Sequence, residues 1–175
     1  MKSLTVSFTT ALLLCAMTVN HVNAQELQPG DFLPEITPEE KAQRGASNSL
    51  AMAEVFILYA QEQGSSIAEA GRKAGKHFAK SWPEELTSEG FIAGMNNNWQ
   101  MYGIKTEVLE TDDDYIKARR DRIASEEAFE RTFTVSLDDI ETFFEYVQKE
   151  IASFHGLTYS EEFDGDSIVF MVSGS

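Results

Sequence analysis

The chain has 175 residues, with 29 acidic against 14 basic side chains and a formal net charge of −15. A field of that sign repels nucleic-acid phosphates and anionic lipid, so neither is expected as a partner. Cys15 is the one cysteine and stands close to the start, so the body of the chain is expected to hold no disulfide, thiol nucleophile or thiolate metal ligand; no metal or cofactor is expected.

Residues 1–24 carry Lys2, no acidic residue, an apolar stretch from Ala11 to Val19, and Val22-Asn23-Ala24, the pattern of a secretory signal peptide cleaved after Ala24. Thr9, Thr10, Thr18, Asn20 and His21 interrupt the apolar run, which falls short of the roughly 20 residues a membrane span needs. Leu14 before Cys15 argues against lipid attachment. The expected product is an exported bacterial protein, periplasmic or extracellular, that begins near Gln25 and keeps no stable membrane anchor. Residues 25–36, with Pro29, Gly30 and Pro34, read as an extended arm, and residues 37–175 as a single domain.

Thr37-Pro38-Glu39-Glu40 joins a hydroxyl cap, a proline at the first helical position and a returning carboxylate, which predicts a helix start. Gly45 to Ser49 mark a candidate interruption, after which Leu50, Val55, Leu58 and Tyr59 carry an apolar face to Gly64. A second helix is predicted from Ser66, with Ile67, Ala70, Ala74, Phe78 and Trp82 on one side and Pro83 as its stop. The third runs from about Ser88 to Tyr102 on the stripe Phe91, Ile92, Met95 and Trp99, ending at Gly103. Residues 104–109 and 115–119 alternate like the strands of a hairpin. Residues 125–135 stay open between helix and strand. The spacing of Ile140, Phe143, Phe144, Val147, Ile151 and Phe154 predicts a long helix over 137–154, capped by Ser136, with His155 at its C-terminal end. Residues 157–163 and 167–172 flank Asp164-Gly165-Asp166 as a second hairpin. The class is therefore α+β: a helical N-terminal half packed on a small antiparallel sheet of two hairpins, with one long helix between them.

No phosphate loop, dinucleotide fingerprint, zinc helix or serine elbow is present, so enzymatic activity stays open. His77, beside the apolar stripe of the second helix, reads either as a pocket-facing proton carrier or haem ligand, or as a solvated or boundary side chain. Arg72, Lys76 and Lys80 step four residues apart as a basic ridge, suited to an anion or an acidic partner, or else balanced by carboxylates such as Glu69. Gly71 and Gly75, with Ala70 and Ala74, would also permit close helix approach. In Asn96-Asn97-Asn98, Asn98 is a candidate ligand donor or part of an exposed last turn. Trp82, Trp99 and Tyr102 are core or pocket wall. Arg119, Arg120 and Arg122 could grip a carboxylate ligand or pair with the chain's own acids. Asp112-Asp113-Asp114 and Asp164-Gly165-Asp166 read as turns rather than calcium loops.

Gly71-x-x-x-Gly75 before Phe78, Gly103-Ile104, Gly156-Leu157-x-Tyr159 and Gly165-Asp166 follow an order that resembles the vinyl-reductase-like domains and the related thiazoline-carboxylate hydrolase-like proteins. The resemblance implies a small molecule enclosed between helices and a curved antiparallel sheet. Many members of those families place cysteine or histidine after the glycine-aspartate turn. Ser167, Ile168 and Val169 stand there in this chain, so metal or thiol chemistry is not implied. The leading expectation is a small-molecule-binding domain for an apolar or anionic ligand, with His77, Phe78, Asn98, Trp99, Tyr102, Arg120 and Phe144 as candidate pocket residues. The alternatives are an interaction or assembly protein of the cell envelope, with a protein partner or as a homo-oligomer, and a small hydrolase using an acidic residue or His77 as general base.

Overall fold

The computed structural model describes residues 37–174. The signal peptide and the extended arm, read in residues 1–36, lie outside them. Helix α1 spans Pro38–Glu62. It starts where expected, with the Thr37 hydroxyl accepting from the Glu40 amide at 3.2 Å and the Glu40 carboxylate accepting from the Thr37 amide at 2.8 Å. It then runs unbroken through Gly45 to Ser49, against the candidate interruption. Ala46 and Leu50 sit on the same buried face as Ala53, Ile57 and Ala60, and this tertiary burial outweighs the weak local propensity.

Helix α2 (Ile67–Phe78) opens on a Ser66–Glu69 capping box and passes into a 3-10 turn, Ala79–Ser81, ahead of Pro83. Its buried face is Ala70, Gly71 and Gly75, whereas Phe78, expected on the apolar side, is half exposed. Phe78 is the last residue of the helix, while Gly71 and Gly75 form the seam with helix α5 (Leu137–Phe154). A methyl group at Gly71 would meet the Phe143 carbonyl oxygen at 2.6 Å and Tyr146 Cβ at 2.7 Å. At Gly75 it would meet Glu150 Cβ at 2.6 Å and the Val147 carbonyl oxygen at 2.7 Å. The two helices touch backbone to backbone, and this contact sets the roll of α2.

Helix α3 (Ser88–Gln100) is capped by Thr87 and buries the expected Phe91, Ile92, Met95 and Trp99. Trp82 stacks on Phe91 at 5.3 Å and occupies the space a side chain at Gly94 would need. Strands β1 (Thr106–Thr111) and β2 (Tyr115–Asp121) form the first hairpin, and β3 (Thr158–Asp164) and β4 (Ser167–Ser173) the second. Gly165 supplies the positive φ, +62°, that the second turn demands. The four strands pair antiparallel in the order β1-β2-β4-β3. Residues 125–135 resolve into a one-turn helix, α4 (Glu126–Glu130), followed by an irregular stretch. The architecture is α+β as read from the sequence.

Helix α5 crosses between the sheet and α2, burying Ile140, Phe143, Val147 and Ile151, while Phe154, expected on that face, lies at the exposed end. Among the described residues no helix is long and apolar enough to cross a membrane. The α2/α5 seam yields a direct expectation. Gly71→Ala or Gly75→Ala gains up to about 1 kcal/mol of helix propensity yet forces backbone apart. Thermal or denaturant unfolding should show a net loss of about 1–3 kcal/mol for either variant.

Candidate functional site

The inner face of the sheet carries a buried arginine. Register places Ile116, Ala118 and Arg120 of β2 beside Val172, Phe170 and Ile168 of β4, and these beside Tyr159, Glu161 and Phe163 of β3. Arg120 is therefore a sheet residue pointing where apolar side chains belong, and its side chain is wholly buried. From α5, the equally buried Glu141 accepts from Arg120 Nη2 at 2.8 Å, and its second oxygen accepts from the Ile123 amide at 3.0 Å. Arg120 Nη1 donates to the Asp121 carbonyl at 3.1 Å. The indole of Trp99 lies against the guanidinium, 4.1 Å from ring centre to Cζ. Burial works against the Arg120 charge, but the Glu141 carboxylate more than offsets it and holds the guanidinium pKa above its ordinary value.

Three of the sequence candidates converge on this ion pair. Trp99 meets Phe144 edge-on at 5.4 Å and Tyr102 at 5.9 Å, and the Tyr102 hydroxyl shares a 2.6 Å hydrogen bond with Ser49 on α1. Together with Arg120 they form a packed cluster in which the rings contact one another. Around it, Trp99 Nε1, Arg120 Nε and the Thr106 hydroxyl are buried without a protein partner. Thr106 stands opposite Arg120 across the β1/β2 register.

Two further residues belong to this interior and escaped the sequence reading. Tyr159 donates its hydroxyl to the Glu161 carboxylate, and both side chains face α5 from the edge strand. Burial pushes the Glu161 carboxyl up to about 7, against the pull of Arg120 and Tyr159 and with the help of Glu141 and Glu145. Burial, then the neighbouring Glu161, pushes the Tyr159 phenol well above its usual range. A period-two pattern, Tyr159-Glu161-Phe163, was the available signal.

His77 sits elsewhere, in an open groove of about 430 Å³ between α2 and the end of α5, lined by Lys73, Lys76, His77, Lys80, Glu150, Ser153 and Phe154. Lys76 lies 3.7 Å from Glu150, with its side chain 69% exposed. Lys73 reaches Ser65 at 3.4 Å, and among the described residues neither Lys73 nor Lys80 has a carboxylate within 4.0 Å. Phe78 is exposed and does not line the groove, and Asn98 is exposed on α3. Arg72 lies over the Tyr146 ring at 4.9 Å. A second open depression, of about 400 Å³, joins the start of α3 to Asp112, Asp113, Asp114 and His155. Among the described residues no group of three or more histidine, cysteine or acidic side chains is placed to hold a metal ion.

The other two arginines pair with the chain's own acids: Arg119 with Glu107 at the surface at 2.6 Å, and the half-buried Arg122 with the exposed Asp138 at 2.5 Å. No protein-family model matches the chain, and no curated protein matches it.

The interior cluster gives two expectations. Glu141→Gln leaves a buried guanidinium without its counter-charge and should cost about 3–5 kcal/mol, while Glu107→Gln at the exposed pair should cost less than about 1 kcal/mol. Urea unfolding of the two variants measures both. For Glu161 the folded pKa lies above the ordinary 4.5, so its contribution to stability is fully present below 4.5 and is lost as pH rises through about 7. The melting temperature should fall between pH 5 and pH 7.5, and Glu161→Gln should flatten that part of the profile.

Proposed function

We propose that the protein is a binding protein for a small anionic molecule with an apolar part, exported as its N-terminal sequence suggests, and that the α2/α5 groove takes the ligand. The observation that carries this reading is the concentration of cations there. Arg72, Lys73, Lys76 and Lys80 are four of the chain's 14 basic residues and fall within nine positions, on a chain of net charge −15. Three of these lysines and His77 surround one concave surface, with Glu150 as the single lining carboxylate and Phe154 as its apolar wall. Local attraction of this kind acts within about a Debye length, roughly 8 Å in physiological salt, so it survives the repulsive field of the rest of the molecule.

The vinyl-reductase-like resemblance suggests a ligand between helices and sheet. In this chain that space holds the Trp99–Arg120–Glu141–Phe144 cluster, and the groove between α2 and the end of α5 offers the room instead. We assign no catalytic step. His77 has no side-chain hydrogen bond to another described residue that would orient it as a general base.

Octanoate, a carboxylate on an apolar chain, is the probe. Titrated into isotope-labelled protein, it should shift amide resonances clustered in residues 73–80 and 150–154 with saturation. Lys73→Glu/Lys80→Glu should weaken binding about tenfold or more, the loss of charge-assisted hydrogen bonds. Shifts that scatter over the surface, or that centre on α1, would contradict the proposal.

A further inference from the structure

Helix α1 has two apolar faces: one is buried by the fold, and on the other Phe56 alone reaches a core ring, meeting Phe143 edge-on at 6.0 Å. Ala46, Leu50, Ala53, Ile57 and Ala60 are buried against the core. Met52, Val55, Phe56 and Tyr59 follow the i, i+3, i+4, i+7 spacing of a helical seam and remain 68%, 49%, 39% and 60% exposed. On the flank between them, Glu54 is already occupied, its carboxylate accepting from the amides of Thr134 and Val135. A row of four large apolar side chains on one exposed helix stripe is costly to leave in water unless something covers it.

The same stripe continues in both directions at steps of three and four residues. Towards the N-terminus it reads Asn48, Gly45, Arg44 and Lys41; towards the C-terminus it reads Glu62. Lys41, Arg44 and Glu62 are exposed and, among the described residues, have no ion-pair partner within 4.0 Å. Nothing lies within 4 Å of a methyl group placed at Gly45. The order is thus cation, small residue, large apolar block, anion, and it is complementary to itself when reversed.

We propose that α1 is the contact helix of a two-fold symmetric homodimer, packing antiparallel on α1 of a second copy. With Met52 on the axis, Tyr59 falls over the partner's Gly45, Val55 and Phe56 over the partner's Asn48, and Glu62 against the partner's Arg44 and Lys41. Each contact occurs twice by symmetry. Large side chains meet small ones, and each end pairs opposite charges. The stripe is smaller than a standard stable interface, so the dimer is a reversible one.

Sedimentation velocity on the protein in physiological salt, from about 5 to about 200 μM, tests this, a range chosen for a small interface. The expected result is a concentration-dependent shift from monomer to dimer. Met52→Glu/Tyr59→Glu, at two exposed positions, should abolish the shift while leaving the circular-dichroism melt unchanged. Arg44→Glu and Glu62→Arg should each weaken the dimer about three- to tenfold, since each breaks two symmetry-related pairs, and the double variant should restore it. Glu62→Arg is the sharpest arm. It changes the net charge by two units, from −15 to −13, so general repulsion alone would make the dimer tighter. A monomer throughout, an oligomer larger than two, or a dimer indifferent to these substitutions would overturn the proposal.

Discussion

The Arg120 guanidinium sits on the inner face of a four-stranded sheet with no solvent contact, and removing such a charge from water costs several kcal/mol unless its surroundings compensate. The compensation comes from three directions. Glu141 reaches down from α5, the backbone at Asp121 offers a carbonyl, and the Trp99 indole from α3 supplies a π face. Glu141 also binds the Ile123 amide just beyond β2. One interaction thereby fixes α5, α3 and the end of β2 relative to one another. Apolar packing would hold these elements together; the ion pair restricts how they may register.

Once α5 is fixed on the sheet, the glycine seam determines what happens on its far side. Gly71 and Gly75 let α2 settle onto Phe143, Tyr146, Val147 and Glu150 at backbone distance. Beside that contact, Lys73, Lys76, His77 and Lys80 of α2 line an open groove together with Glu150, Ser153 and Phe154 at the end of α5. The interior polar cluster and the groove are distinct in character: one is desolvated and closed, the other open and solvated.

Much of the fold was legible in the sequence because its signals are local. The Thr37, Ser66 and Ser136 caps, the stripe from Phe91 to Trp99, the Asp164-Gly165 turn and the period of α5 each rest on neighbours within one or two turns. The misreadings share a different cause. Hydrophobic spacing alone puts Phe78 and Phe154 on buried faces, yet each is the last residue of its helix, where the stripe runs past the core and leaves the ring half exposed. Gly45 to Ser49 looked like a break because propensity does not register the burial of Ala46 and Leu50. The partner of Arg120 was not readable, since Glu141 lies 21 positions away on another element and nothing local distinguishes it from Glu145 or Glu150. The convergence of Trp99, Tyr102 and Phe144 follows from that same long-range pairing.

The central claim is that the Arg120–Glu141 pair fixes the packing of helices on the sheet and exacts a desolvation cost for doing so. The most direct measurement is a double-replacement cycle, comparing Arg120→Met, Glu141→Leu and the combined variant by urea unfolding. Each single change strands one buried charge and should be strongly destabilising, whereas the combined apolar replacement should recover most of the loss. If instead the single changes cost no more than a surface pair would, or the double variant loses the sum of both, then the pair does not play the part assigned to it.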